Sequence, residues 1–218
     1  GAMARRRELF PSHRTMVIAL AMAGVFAVSI GLAFAMSSRP ARYAFGGAAT
    51  SYRRVDLGVA KVPVPDAWQR QALDARGLPM REVSLWSDPE RPSRRLLTAR
   101  LEPGRPVADP GVVLDEVYVA LLEHPAFEGR PRSGGMGFRS QTPKTRAASY
   151  FLALRDAQGN FMQNLLTLAV PAGGASTDLV VLFLDDEGDA TDRTVMQANQ
   201  LFMRSIVQQI GWRGDPGS

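Results

Sequence analysis

Hydrophobic positions follow two regimes along this chain. From Met16 to Met36 (MVIALAMAGVFAVSIGLAFAM) no residue is charged, and Arg14 and Arg39 bracket the run. That length suffices to cross a bilayer as a helix, which takes about 20 residues. Beyond it the apolar residues come in short bursts. Val55, Leu57 and Val59 share one face of an expected strand that leaves through Val62-Pro-Val-Pro-Asp-Ala-Trp68, a proline turn. Arg81 to Ser87 alternates again, Ser87 to Pro92 reads as a turn, and Leu97, Ala99 and Leu101 continue as a strand, so the two predict a hairpin. Val112 to His124 places Val113, Leu114, Val117, Tyr118, Leu121 and Leu122 on one side of a helix that Pro125 ends. A short strand is expected at Met136 to Arg139, and two longer ones at Ala147–Arg155 and Phe161–Val170 around the turn Asp156 to Asn160. Asp178 to Leu184 is almost continuously apolar and predicts a central strand. A last helix spans Thr191 to Gln209 with Val195, Phe202 and Ile206 at helical spacing.

Hairpin-sized connections and segregated helices predict an α+β fold, an antiparallel β-sheet packed with two main helices behind an N-terminal transmembrane helix. The expected organisation is a basic cytoplasmic tail (1–14), the transmembrane helix or uncleaved signal anchor (15–36), a Ser/Gly/Ala-rich linker (37–51) and an extracytoplasmic α+β domain (52–213).

Orientation follows from the flanks. Arg5, Arg6, Arg7 and Arg14 against Glu8 put the short end in the cytoplasm by the positive-inside rule. The expected location is therefore a bacterial inner membrane, crossed once, with the C-terminal domain periplasmic. The alternative is a cleaved secretory signal: Ala33-Phe34-Ala35 has the small-x-small pattern, although the apolar run exceeds the ~7–15 residues of an ordinary signal core. Within the run Ala19, Ala23, Ala27, Gly31 and Ala35 recur every fourth residue. Such spacing lets membrane helices approach closely, and it implies an integral membrane partner; in an alanine-rich anchor it also arises by chance.

Composition narrows the chemistry. The chain has no cysteine, which excludes disulfides and thiolate metal sites. Its net charge is +5 and its pI about 10.2. Four of its 26 basic and one of its 21 acidic residues precede the apolar run, so the remainder is only slightly basic. No aromatic-interleaved basic motif points to nucleic acid. Arg39, Arg42, Arg53, Arg54, Lys61 and Arg70 follow the membrane closely and could rest on anionic headgroups, or simply decorate a solvated surface. Of the two histidines, His13 lies in the tail and His124 at a helix end. No G-x-S-x-G, H-E-x-x-H or P-loop motif is present. Asp185-Asp-Glu-Gly-Asp189 fails the calcium-loop register and reads as a solvated turn. No catalytic, cofactor or metal residue is assigned. The candidate partner surface comprises Trp86, which falls on the opposite strand face from Val83 and Leu85, and Arg130, Arg132, Arg139 and Arg146 around a glycine-rich loop.

The entry Val64-Pro65-Asp66-Ala67-Trp68, the charged hairpin, the middle helix, the meander and a final helix ending near Ile210-Gly-Trp212 resemble PsbP-like domains over about Tyr52 to Arg213. That resemblance implies a PsbP-like sandwich and a non-enzymatic role as an accessory subunit or assembly factor of a membrane complex. The transmembrane anchor departs from the cleaved or lipidated arrangement usual in that family, and no family site residue carries over. The expectation is a single-pass anchored accessory protein whose exported domain contacts partner subunits. The alternative is a periplasmic ligand- or lipid-binding module with a cleaved signal; a hydrolase ranks third.

Overall fold

The computed structural model describes residues 51–127, 136–155, 161–186 and 193–214. The apolar run, its small-residue stripe and the linker up to residue 50 lie outside the described residues. Among those described, no helix is long and apolar enough to cross a membrane.

Among the described residues, two antiparallel sheets and two α-helices make up the domain. In chain order the elements are β1 (Tyr52–Asp56), β2 (Ala60–Pro65), β3 (Gln69–Gln71), β4 (Arg81–Ser87), β5 (Arg94–Leu101), α1 (Leu114–Glu123), β6 (Met136–Gln141), β7 (Thr145–Arg155), β8 (Phe161–Pro171), β9 (Leu179–Asp186), α2 (Arg193–Gln208) and β10 (Gly211–Trp212). The large sheet runs β3-β4-β5-β9-β8-β7-β6 and the small one β1-β2-β10. The α+β class with antiparallel sheets and two helices is thus as the hydrophobic pattern predicts, and β9 is the central strand.

All eight residues of β9 are buried because the large sheet is covered on both faces. Successive side chains of a strand point to opposite faces, so β9 feeds two cores in alternation. Leu179, Val181 and Phe183 meet α1 through Val117, Leu121 and Leu122. Val180, Leu182 and Leu184 join the core of α2 (Phe202, Ile206), Trp68 and the small sheet (Val62, Val64, Trp212). Phe127 packs edge-on against Phe183 at 5.1 Å, and Trp68 lies 5.2 Å from Phe202, separations typical of favourable aromatic pairs.

Local chemistry sets the turns. Between β1 and β2, Gly58 adopts φ +79, a conformation that strains any residue with a Cβ, and its N–H donates to the Asp56 carboxylate at 2.7 Å. In β4 the register slips between Arg81 and Ser84, and Glu82 takes a left-handed φ of 52 within this bulge. A 3-10 turn at Pro110–Val113 precedes α1. Asp109 caps it by accepting from the Gly111 N–H.

Candidate functional site

The densest polar chemistry of the domain lies at one end of the large sheet, where three neighbouring strands carry polar doublets. Arg94-Arg95 open β5, Gln163-Asn164 stand near the start of β8, and Asp185-Asp186 close β9. Pairing aligns them as two rungs, Arg94–Asp186–Gln163 and Arg95–Asp185–Asn164. Adjacent residues face opposite ways, so one rung enters each core.

On the α2 side Asp186 accepts from Arg91 Nη2 at 2.6 Å and from Asn199 Nδ2 at 2.8 Å. Asn199 in turn accepts from Arg94 Nε at 3.0 Å and donates to Gln163 Oε1 at 2.9 Å. The Arg94 guanidinium sits 4.8 Å from the centre of the Phe202 ring and 3.5 Å from Asp88. Burial pushes its pKa below the ordinary arginine value, and the Asp186 and Asp88 carboxylates oppose that shift. On the α1 side Asp185 accepts from Arg95 Nη2 at 2.6 Å and Asn164 Nδ2 at 2.8 Å, while Arg95 also donates to the Ala126 carbonyl and lies over Phe127.

Asp185 and Asp186 are each 1 % exposed, which corrects the expectation of a solvated turn. They end a buried strand, and arginine and amide donors hold them. Among the described residues no group of three or more His, Cys, Asp or Glu is placed to hold a metal ion. This arrangement fixes charge in the interior and clamps β5, β8, β9 and α2 together.

The candidate partner residues divide. Trp86 is buried in the α2-side core, donates its indole N–H to Thr98 Oγ1 at 3.2 Å, and lies under the Arg53 guanidinium. It is therefore removed from the candidate surface. The alternation of β4 does set Trp86 opposite Val83 and Leu85, but the second sheet and α2 cover that face. Arg139 is exposed on edge strand β6 and makes a two-point contact with Asp109, at 3.2 and 3.0 Å. That contact holds the Asp109 carboxyl below the usual carboxylate range. Arg146 donates to the Pro171 and Gly174 carbonyls, tying β7 to the turn after β8. Arg130 and Arg132 lie outside the described residues. His124 is buried at the end of α1, where its Nδ1 accepts the Ala126 N–H at 3.2 Å.

Two features had no counterpart in the sequence reading. Tyr118 stacks on Tyr150 at 5.2 Å, and its buried hydroxyl has no hydrogen-bond partner among the described residues. Burial raises its pKa to about 12, with the Tyr150 and Asp185 charges adding to the shift. A phenol harder to ionise in the fold than in the unfolded chain leaves the fold at its full stability below about pH 10 and costs it stability as pH rises toward 12. Tyr118→Phe removes the orphan hydroxyl without opening a cavity. It should leave neutral-pH stability equal or up to about 1 kcal/mol higher and flatten the alkaline loss, read by urea titrations at pH 8 and pH 11. A drop of more than about 1 kcal/mol at pH 8 would instead reveal an unseen partner for the hydroxyl.

The second feature is a shallow depression of about 250 Å3 on the small sheet, lined by Asp56, Gly58, Ala60, Lys61, Gly211 and Arg213.

No protein-family model matches this chain, and no curated protein matches it. Among solved structures the chain is similar to the Saccharomyces cerevisiae Ran-binding protein Mog1p, with a TM-score of 0.43 and 13% identity over 73% of this chain and 97% of that one. It is similar to a point mutant of protein Mog1 over the same shares, with a TM-score of 0.43 and 11% identity.

Proposed function

We propose that this chain is a non-enzymatic, single-pass membrane-anchored accessory subunit or assembly factor, whose PsbP-like extracytoplasmic domain contacts partner subunits of a membrane complex. The observation that carries the reading is the uncharged run Met16–Met36 with its arginine-rich leading flank, directly ahead of a folded α+β domain. The stripe Ala19, Ala23, Ala27, Gly31 and Ala35 supplies a packing face for an integral partner. In the domain the most buried charges serve to clamp the sheet.

The test is expression of the full chain in a bacterial host, followed by alkaline carbonate extraction and gentle-detergent purification. Retention in the membrane and a stoichiometric integral partner are the expected results. Release of a mature chain beginning at Met36 would overturn the anchor in favour of a secreted binding module. Ala23→Leu with Ala27→Leu should cut partner recovery at least tenfold while leaving membrane retention intact, because bulky side chains hold two helices apart. Undiminished recovery would count against helix packing.

A further inference from the structure

We infer that the outer face of the small sheet is a docking surface for the anionic headgroups of the membrane in which the chain is anchored. The inference rests on the anchored reading above and deepens it by giving the domain an orientation.

Pairing defines the face. Arg54 stands opposite Pro63, Asp56 opposite Lys61, and Gly211 of β10 opposite Lys61 on the other side. Their strand neighbours Val62, Val64 and Trp212 point inward and are buried. Arg54, Lys61 and Arg213 are all exposed, the last two lining the depression. The one acid among them, Asp56, accepts the Gly58 N–H and lines the same depression, so the face carries three cations against one carboxylate. Arg54 donates to the Gln209 carbonyl, a neutral acceptor, and pairs with no carboxylate among the described residues. Lys61 and Arg213 thus line the depression together with Asp56, and Arg54 stands exposed on the same face, a net positive charge suited to phosphate headgroups.

The opposite layer has the reverse sign. The exposed side of α1 carries Asp115 and Glu116, which an anionic surface repels. The large sheet separates that layer from the small sheet, because the two cores lie on its two faces. Charge therefore selects one face of the domain for the bilayer.

Chain length keeps this face within reach. Whatever their conformation, residues 37–51 span at most about 50 Å, so β1 begins no further than that from the end of the apolar run. A tethered surface meets the bilayer at high effective concentration, and a few cations then suffice. Each Lys or Arg near an anionic leaflet shifts the docked-to-free ratio about fivefold.

The chain supplies its own reporter, because Lys61 and Lys144 are its only lysines. Lys61 lies on the proposed face and Lys144 in the exposed turn between β6 and β7. The full-length chain would be reconstituted in nanodiscs of neutral phosphatidylcholine, with or without phosphatidylglycerol, and acylated with an uncharged amine reagent. On anionic discs Lys61 should react at least about fivefold more slowly relative to Lys144 than on neutral discs. Salt at 0.5 M should erase the difference, because screening shortens the reach of these charges to a few ångströms. Arg54→Gln with Arg213→Gln should lower the docked-to-free ratio about 30-fold; the salt arm tests the same point without altering the chain. A Lys61-to-Lys144 ratio independent of phosphatidylglycerol, or equal protection of both lysines, overturns the docking face while leaving the anchor intact. A chain that fails to enter neutral discs overturns the anchor itself, and the docking proposal with it.

Discussion

Asp186→Ala is expected to lower the unfolding free energy of the domain by about 3–5 kcal/mol, the cost of stranding a buried charge. The Asp186 side chain has no solvent exposure and faces three groups whose polarity depends on it: Arg91, Asn199 and, through the shared rung, Arg94. Arg91 keeps a side-chain exposure of 36 % and can turn to water, whereas Arg94 at 6 % cannot. Among the described residues the carboxylate of Asp88 also faces it, 3.5 Å away. Most of the loss should therefore come from Arg94, and replacing both ends of the rung tests this. Arg94→Met with Asp186→Leu should recover at least half of the deficit, since it removes the buried guanidinium together with the carboxylate that Asn199 links to it. Urea titration followed by tryptophan fluorescence reads both variants. A single-variant loss under about 1 kcal/mol would show that water reaches Arg94 when Asp186 is gone, and would remove the clamp from the account of stability.

The alternation of Arg81–Ser87, the amphipathic spacing of Val112–His124 and the apolar run of Asp178–Leu184 each named their element, because period and length are local properties. The polar rungs were not legible in the same way. Asp185-Asp186 reads as a surface turn until Arg94-Arg95 and Gln163-Asn164 are set beside it, and only the pairing of β5, β9 and β8 does that. A signal was nevertheless present: polar doublets sit near the ends of three strongly apolar segments. Two adjacent polar residues in a strand fully buried on both faces must find partners on each side. Trp86 failed for a related reason. Its position opposite Val83 and Leu85 was correct, but whether that face meets solvent depends on β1, β2 and β10, which pair across the length of the chain.

The small sheet is where local reading stops. A two-residue strand such as β10 has no periodicity to detect, yet it completes the face that carries Lys61 and Arg213. The basic residues after the uncharged run Met16–Met36 form a cluster in sequence. The structure separates them: Arg53 turns inward over Trp86 and pairs with Asp66, while Arg54 and Lys61 share the outer face. Pairing thus decides which charges a membrane could meet.

Trp212→Ala is expected to destabilise the domain by about 3–5 kcal/mol, the range for emptying a buried aromatic site. Trp212 is 3 % exposed in the core beneath the small sheet, and its indole N–H donates to Thr145 Oγ1 at 2.9 Å, linking β10 to β7 of the large sheet. Two weaker variants separate packing from the hydrogen bond. Trp212→Phe keeps most of the ring volume and loses the donor. Thr145→Val keeps the ring and leaves the indole N–H buried without an acceptor, at a cost of about 1–3 kcal/mol. If packing dominates, both lie well above Trp212→Ala in stability, and a double-mutant cycle between positions 145 and 212 gives a coupling near 1 kcal/mol. Removal of the ring should also loosen the pairing of Gly211 with Lys61 and of the Arg213 N–H with the Val59 carbonyl. Hydrogen exchange on the folded variant should therefore show faster exchange at Lys61 and Arg213 than in β9, with β9 keeping its protection. Uniformly faster exchange throughout the domain would instead make the small sheet part of one cooperative unit, and would deny that β10 can open independently of the large sheet.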